Sequence, residues 1–457
     1  MRYALSGFVI GLAVLLVSSS AFAFPSDPET GVSILDLDAV DPGYVLFTPQ
    51  LGDDSMGTGG VIYLLNVYGQ PVHTWASDTA PGLYAQLLPN GNLLYGSQVE
   101  REVEIPAGGG GKLSIIDWDG DEIWSYRNDF LHHDFEMLPN GNIAALIYAK
   151  MPPSLVEQVQ GGLPGTELED GSMWSDAIIE IAADGSIEWQ WNAWEYLDPV
   201  EDEIHHDINR NEWTHANSMR YVASDPLTNS EAYLVSFRQI STVVLVDRET
   251  GEVIWQVGPE ILSQQHDARL LDNGNILVFD NGEDPADTPT GHIVPRSRVL
   301  EIDPRQDGGA VVWEYTAEGR AGWRFFSSLI SGAQRLANGN TLITEGMPGR
   351  IFEVTPEKKI VWEYISPYGN LIEDGPSRET WIFKALKYSP DEIDFPRSLP
   401  SPIELLSEDE QASGDALESP ADDDGDLEWW HALLIAAGAG VAFFAAGFGV
   451  ARIAPRG

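Results

Sequence analysis

The chain has 457 residues, of which 71 are acidic and 25 basic, and it carries a formal net charge of −46 with no cysteine. This charge excludes binding to a nucleic-acid backbone, which needs a basic surface, and the lack of cysteine excludes disulfides and thiolate chemistry. Because salt screens the repulsion between surface charges, the acidic, lysine-poor composition predicts a halophilic protein, with an ordinary acidic secreted protein as the alternative.

The N-terminal residues 1–23 have the features of a secretory signal peptide. Arg2 precedes an apolar run over residues 8–17, and small residues flank a cleavage position at 21–23. A signal peptide is removed on export and takes no part in the fold. We therefore expect a single globular domain over residues 24–400.

Three segments follow this domain. Residues 401–428 are rich in acids and contain no aromatic residue, a composition that cannot bury enough surface to fold, so they predict a disordered stalk. Residues 429–451 form an uncharged run long enough to span a bilayer as a transmembrane helix, and the positive-inside rule places the arginine-containing tail at 452–457 in the cytoplasm. The expected location is the cell membrane, single-pass, with the domain on the extracytoplasmic side. Whether the helix is retained or processed stays open.

Two sequence patterns alternate between these ends. One is a strand, a turn and an apolar pair ending in tryptophan, as in IIDWDGDEIW; the other is two apolar strands around an NGN turn, as in LLDNGNILVF. Asn-Gly between apolar runs is a strong hairpin signal, and it predicts type I′ turns. Two hairpins make a four-stranded antiparallel sheet, so six copies predict an all-β, six-bladed β-propeller. The repeated tryptophans are Trp75, Trp124, Trp189, Trp255, Trp313 and Trp362.

The ring is expected to close through a blade shared by the two ends of the domain. A strand that begins at Gly43 precedes the first repeat, and a segment that begins at Trp381 follows the last. A β-sandwich or a helical solenoid is the alternative fold, but neither would repeat tryptophan and turn positions so regularly.

Counting along each hairpin from its turn brings several polar residues to one mouth of the central channel. If Asn-Gly is the centre of each NGN turn, His266 faces Asn281 across its hairpin. Because strand side chains alternate between faces, His132 is expected to point away from the side that His133 faces. The residues expected at this mouth are His133, His215, His266, Asn281, Ser331 and Arg238.

Five segments carry motifs found in a known family: HHDFEMLPNGN, WTHANSM, VSFR, QHDARLLDNGNILVFDNG and SGAQRLANGNTLITEG. They resemble the arylsulfotransferases, six-bladed propellers that do not use the nucleotide sulfate donor, and the resemblance covers residues 43–395. It implies transfer of a sulfuryl group from an aryl sulfate ester to a phenol through a sulfohistidine, with no cofactor and no metal. The catalytic residues that it implies are the nucleophile His266 together with His133, His215 and Arg238.

The same resemblance implies residues that bind the substrate. Asn217 matches a group that holds the sulfate oxygens, and Ser331 falls where the family can present a threonine hydroxyl. Asn281 joins them as the expected partner of His266. The partners implied are small molecules, an aryl sulfate and a phenol, and the natural donor, the natural acceptor and the oligomeric state are not predicted.

The residue types suit this chemistry, but two alternatives stay open. Neutral imidazole is a nucleophile near neutral pH, and a guanidinium can bind two sulfuryl oxygens at once. The alternatives are a three-histidine metal site, which the charge of Arg238 disfavours, and a non-catalytic propeller that binds a sulfated or other anionic ligand. The loops at 152–174 and 200–212 are either a lid over the mouth or surface decoration.

Overall fold

The repeated hairpins pair two by two into the blades of a six-bladed β-propeller. The computed structural model describes residues 30–50, 60–283, 295–306, 308–317, 325–368, 370–371 and 378–407. Within these ranges, six antiparallel sheets carry four strands each, and one of them carries a fifth. The all-β propeller predicted from the repeat is therefore confirmed. The predicted signal peptide, transmembrane segment and C-terminal tail lie outside the described residues.

We number the blades from the N-terminus and list their strands from the channel outwards, since the first strands of blades 3 to 6 contact one another around the axis. Blade 1 contains Leu386–Tyr388, Tyr44–Phe47, Gly60–Leu65 and Pro71–Ser77; blade 2 contains Pro81–Leu87, Leu93–Gln98, Gly111–Ile116 and Glu122–Arg127; blade 3 contains Leu131–Met137, Ile143–Lys150, Trp174–Ile181 and Ile187–Asn192. Blade 4 contains Ala216–Val222, Ala232–Phe237, Thr242–Asp247 and Val253–Val257; blade 5 contains His266–Leu270, Ile276–Asp280, Arg298–Asp303 and Ala310–Tyr315; blade 6 contains Gly332–Arg335, Thr341–Glu345, Arg350–Val354 and Ile360–Ile365.

A few short elements lie outside the blades. Strand Gly31–Leu35 adds a fifth strand to the outer edge of blade 6 by pairing with Ile360–Ile365, which the sequence did not predict. The others are the helix Pro153–Val156, the 3-10 helix Ala193–Glu195, the strand pair Gly161–Leu163 with Ile204–Asn209, and the strand pair Asn370–Leu371 with Arg378–Glu379.

The ring closes in blade 1, as the sequence predicted. Its innermost strand comes from the C-terminal end of the domain and pairs with Tyr44–Phe47 from the N-terminal end, with Val45 opposite Lys387. Lys387 also forms a buried ion pair with Glu353 of blade 6, at 2.7 Å between Nζ and Oε2. Closure therefore combines strand pairing within one blade with an ionic contact to the next.

The repeated tryptophans join neighbouring blades. The indole Nε1 of an outer strand donates a hydrogen bond to a backbone carbonyl in the following blade, so the apolar ring packs while its polar atom is satisfied. This pattern explains why tryptophan, and no other aromatic residue, recurs at these positions. The bonds run from Trp75 to Asp117, Trp124 to Ala183, Trp191 to Gly251, Trp313 to Pro356 and Trp362 to Val67, at 2.7 to 3.1 Å.

Two of the predicted repeat positions depart from this pattern. In blade 3 the bond is made by Trp191, two residues beyond the repeat residue Trp189, whose ring instead stacks on Tyr233 at 5.4 Å. In blade 4 the buried Nε1 of Trp255 has no hydrogen-bond partner among the described residues. Trp255 therefore contributes packing without the polar bond.

The NGN turns differ from the expected type. Only the glycine of each turn has a positive φ, for example 81° at Gly274, and the asparagine before it does not. The Leu271 carbonyl accepts a hydrogen bond from Gly274 N, and Leu271 N donates one to Asn275 O. These contacts describe a type I turn followed by a left-handed glycine, not type I′. The strands consequently pair one residue out of the predicted register, with Leu270 opposite Ile276.

The chain beyond residue 400 remains packed on blade 1 as far as it is described. Leu406 is buried in the core of that blade, and the carbonyls of Pro402 and Glu404 accept hydrogen bonds from Val67 N and the Asn66 side chain. The described part of the domain thus extends to Ser407. The rest of the acidic segment predicted to form a stalk lies outside the described residues.

The predicted single-pass membrane location is corrected by the structure. Within the described ranges, no helix has the length and apolar character needed to cross a membrane. Residues 429–451, on which the prediction depended, lie outside these ranges.

The tryptophan bonds predict a difference between two matched substitutions. Trp124 and Trp255 are both partly buried in outer strands, but among the described residues only Trp124 has a bond to the next blade. We expect Trp124→Phe to lower the free energy of unfolding by about 0.5–1.5 kcal/mol more than Trp255→Phe, the usual value of one hydrogen bond. Denaturant unfolding monitored by circular dichroism measures both, and equal losses would show that the bond contributes nothing.

Candidate active site

The innermost strands are irregular at the ends where the predicted site residues lie. Four residues there that are not glycine have a left-handed backbone, and the pairing register shifts beside three of them. Such residues cost about 1–3 kcal/mol each and concentrate at functional sites. They also break strict alternation, so that neighbouring side chains can meet. The residues and their φ values are His133 at 44°, His215 at 53°, Asp267 at 50° and Ser331 at 91°.

His266 is held in a defined tautomer by Asn281. Its Nδ1 lies 2.8 Å from Asn281 Oδ1, while Asn281 Nδ2 donates to the carbonyls of Ser327 and Ile330. Since those two bonds fix which end of the amide is the acceptor, Nδ1 of His266 must carry the hydrogen. Nε2 is then the unprotonated ring nitrogen and carries the lone pair. Burial and the nearby charge of Arg238 lower the pKa of His266 to about 3, so the ring is neutral at ordinary pH.

His215 is oriented by a buried carboxylate. Its Nδ1 donates to Glu212 Oε1 over 2.8 Å, and both residues are buried. Glu212 also accepts from Gln239 Nε2 and Tyr148 OH, each at 2.9 Å. With three donors the carboxylate is fixed, and His215 is fixed with it.

His133 lies against both His215 and a second histidine. The ring centroids of His133 and His215 are 4.6 Å apart, and the Nδ1 atoms of His133 and His132 are 2.9 Å apart. His132 Nε2 is in turn 3.2 Å from Asp176 Oδ1. Burial and the surrounding histidines and Arg238 hold the pKa of His133 well below its usual value. His132 was expected to point away, and the left-handed bulge at His133 is the reason that it does not.

Arg238 is attached to the same group through the backbone. Its N–H donates to the His215 carbonyl at 3.0 Å, which places it directly beside that histidine. Its Nη2 pairs with Glu283 Oε2 at 3.0 Å, and its buried Nε has no hydrogen-bond partner in the described ranges. The guanidinium therefore keeps a donor for an anion while a carboxylate neutralises its charge.

Asn217 and Ser331 are bound mainly to the protein. Asn217 Nδ2 donates to the carbonyl of Gln265 at 2.7 Å, which supports the residue before His266, and its buried Oδ1 has no partner among the described residues. Ser331 Oγ accepts from Gly346 N at 3.0 Å.

Directly beneath the histidines lies a group of buried charges. Lys384 Nζ is 3.1 Å from Asp134 Oδ2 and 3.3 Å from Asp267 Oδ1, and Arg220 contacts both carboxylates. These aspartates directly follow His133 and His266 in the chain. Burial and the neighbouring Arg220 lower the pKa of Lys384 to about 8. The preceding residue, Phe383, lies 6.1 Å from the His133 ring and 6.5 Å from the His266 ring.

Comparison with known proteins identifies the family of this fold and site. The family model described as Arylsulfotransferase (ASST) matches residues 84–367, which is more than half of the chain. The chain belongs to the arylsulfotransferase family. No curated protein matches it.

Several solved structures are similar to this arylsulfotransferase family member in fold alone. A protein of unknown function from Bacteroides caccae is 14% identical, with a TM-score of 0.44 and coverage of 76% of this chain and 99% of that one. A streptogramin B lyase is 12% identical, with a TM-score of 0.39 and coverage of 74% and 87%. A virginiamycin B lyase from Staphylococcus aureus is 12% identical, with a TM-score of 0.37 and coverage of 74% and 90%.

The structure brings the predicted residues His266 and Asn281 together in the candidate site, although the predicted pairing was wrong. A bulge between His266 and Arg269 places Phe279, not Asn281, opposite His266 in the ladder. The side chains of His266 and Asn281 still meet at 2.8 Å. Asn281 lies two residues beyond Phe279, and because strand side chains alternate, a shift of two residues keeps it on the same face. Among the described residues, no group of three or more histidines and carboxylates is arranged to hold a metal ion.

Sequence reasoning missed several residues of this site. Glu212 lies three residues before His215, a short spacing that could have suggested the contact. Gly108 approaches the His133 ring so closely that a Cβ would lie 2.0 Å from Cε1, which accounts for part of the glycine run at 108–111. Lys384 carried no signal, because its partners are distant in sequence and belong to other blades.

The two candidate lid loops form one unit beside the site. Gly161 pairs with Ile204, Arg210 Nη2 donates to Val159 O at 3.1 Å, and the strand bridge between Trp174 and Glu212 links the unit to the residue that orients His215. A cavity of about 260 Å³ lies between this unit and the turn that follows Arg238. Its lining residues are Gly161, Glu203, Ile204, His205, His206, Ile240, Ser241 and Pro259.

The ion pair between Arg238 and Glu283 predicts competition with anions. Sulfate must share or displace Glu283, so Glu283→Gln should bind inorganic sulfate about two- to fivefold more tightly, the range expected for a partly exposed pair. Calorimetric titration with sodium sulfate at constant ionic strength measures this. Glu357→Gln, an exposed change in an outer turn of blade 6, controls for the altered net charge. Equal affinities in all three proteins would contradict the prediction.

The pKa of His266 predicts acid sensitivity with a defined sign. Histidine titrates near 6.5 in an unfolded chain and at about 3 here, so between these values only the unfolded chain binds the proton. The free energy of unfolding therefore falls as the pH is lowered through this window. In His266→Gln we expect the slope between pH 6 and 4 to be smaller by up to about 1.4 kcal/mol per pH unit. The exposed His206→Gln serves as control, and a slope unchanged from the wild type would contradict the assignment.

Proposed function

We propose that this arylsulfotransferase family member transfers a sulfuryl group from an aryl sulfate ester to a phenol through a sulfohistidine at His266. The observation that carries the proposal is the bond between Asn281 and Nδ1 of His266, which leaves Nε2 unprotonated. A buried, neutral imidazole with a free lone pair is a competent nucleophile.

The first step forms a bond between Nε2 and sulfur and breaks the bond between sulfur and the aryl oxygen. The ring then holds a positive charge, with its Nδ1 hydrogen still donated to Asn281 Oδ1, and the three sulfuryl oxygens hold the negative charge. In the second step the oxygen of a phenol attacks sulfur, and His266 leaves as neutral imidazole. The departing phenolate gains a proton in the first step, and the incoming phenol loses one in the second.

Arg238 is the cationic group for the sulfuryl oxygens. Its Nε is buried without a partner in the described ranges, so an oxygen placed there would satisfy it. In sulfuryl transfer, as in phosphoryl transfer, charge on the equatorial oxygens is stabilised mainly by fixed donors and positioning. Asn217 supports the backbone beside His266, which positions the nucleophile in the same frame.

Single-turnover labelling tests the proposal. The wild type, mixed with a radiolabelled aryl sulfate in about 1 M salt to screen its acidic surface, should form an acid-labile adduct that maps to His266, and added phenol should discharge it. His266→Ala should form none. Arg238→Ala should form the adduct about 10²–10³-fold more slowly, the usual effect of losing one charge-stabilising donor, while the exposed Arg127→Ala should not differ from the wild type.

The alternative of a non-catalytic anion-binding propeller gives a different result. In that case the wild type binds the sulfate ester at this site but forms no adduct on His266 at any time. An unfolded Arg238→Ala, detected by circular dichroism, would instead show that Arg238 is structural and would remove it from the proposed site.

A further inference from the structure

Glu212 stands out among the buried acids near the site. The residue is 4% exposed, and both of its carboxylate oxygens accept hydrogen bonds from donors in different elements. Oε1 accepts from His215 Nδ1 and Gln239 Nε2, and Oε2 accepts from Tyr148 OH. None of the motifs in the sequence assigns it a role.

The three histidines differ in what their Nδ1 atoms contact. His266 donates to a neutral amide, and His133 faces the Nδ1 of His132. Only His215 donates to a carboxylate, at 2.8 Å. A carboxylate cannot donate a hydrogen, so it both fixes the tautomer and stabilises an imidazolium when Nε2 gains a proton.

Tyr148 links the pair His215–Glu212 to the neighbouring pair His132–His133. Its ring stacks on His132 with centroids 3.9 Å apart, and its hydroxyl donates to Glu212. Burial and the charge of Glu212 raise the pKa of Tyr148 well above its usual value, so it remains a hydrogen-bond donor. Glu212 is thereby held in place from the side opposite His215.

We propose that Glu212 is a positioning residue that makes His215 the group that moves the proton in the transfer, an inference that rests on the proposed function. As the bond between sulfur and the aryl oxygen breaks, Nε2 of His215 gives its proton to that oxygen. His215 is then neutral, and its Nδ1 keeps its hydrogen and donates it to Glu212 Oε1. It takes the proton back from the acceptor phenol as the phenol oxygen attacks sulfur, so each cycle ends in the starting state.

The test compares two sulfate donors in single turnovers. 4-Nitrophenolate leaves readily without protonation, whereas the phenolate of phenyl sulfate needs a proton. Glu212→Gln keeps the size of the side chain and removes its charge. We expect it to slow labelling of His266 by phenyl sulfate roughly 10²-fold, within the range for general acid catalysis, and labelling by 4-nitrophenyl sulfate less than about threefold.

Glu180→Gln is the matched control. Glu180 is 1% exposed and accepts a hydrogen bond from Tyr233 OH at 2.8 Å, but its other partner is Arg248 and it touches no histidine of the site. Any effect of this change on labelling should be the same for both donors. The difference between donors is a quantity that a purely structural role of Glu212 would not alter.

The outcomes separate the two proposals. If the wild type forms no adduct with either donor, the proposed function itself fails. If the wild type is labelled but Glu212→Gln slows both donors equally, or slows neither, the role of Glu212 is overturned. Should Glu212→Gln not fold, Tyr148→Phe serves instead, because it leaves Glu212 two of its three hydrogen bonds. This variant should slow labelling by phenyl sulfate more than labelling by 4-nitrophenyl sulfate, with a smaller loss than Glu212→Gln. If it shows no difference between the two sulfate esters, the inference is also overturned.

Discussion

The buried contacts of Lys384 with Asp134 and Asp267 are the interaction on which the rest of the site depends. Each aspartate directly follows a histidine of the site, so fixing the carboxylate fixes the backbone that presents the imidazole. An uncompensated buried charge costs several kcal/mol, and this penalty makes any displacement of the inner strands expensive. Arg220, from a third blade, contacts both carboxylates and extends the constraint around the axis.

A protein with a net charge of −46 does not attract an anion by its overall field. The histidines at the site are buried, the pKa values of His133 and His266 are lowered, and the charge of Arg238 is balanced by Glu283. Recognition of a sulfate ester would therefore depend on the placement of a few N–H donors in a buried setting, where each is stronger than in water.

The repeat, the closing blade and the residues that meet at the site could all be predicted from the sequence, because turns and tryptophans mark each hairpin locally. The register could not. It depends on a third turn residue at Gly274 and on bulges beside His133 and His266, and left-handed backbone at a histidine has no sequence signature. Lys384 was missed for another reason: its contacts join segments from different blades, and a periodic pattern describes only what lies within one blade. Glu212 lies only three residues from His215, but it belongs to neither of the two repeated patterns.

The shared blade also has a consequence for the order of folding. Phe383 and Lys384 come near the end of the domain sequence, yet Phe383 lies against histidines from blades 3 and 5. Lys384 contacts the aspartates that follow those histidines. Contacts between residues so far apart in sequence form late, after the local hairpins. Until that segment arrives, the aspartates beneath the histidines lack their lysine. We therefore expect the closing of the ring and the assembly of the candidate site to be the same event.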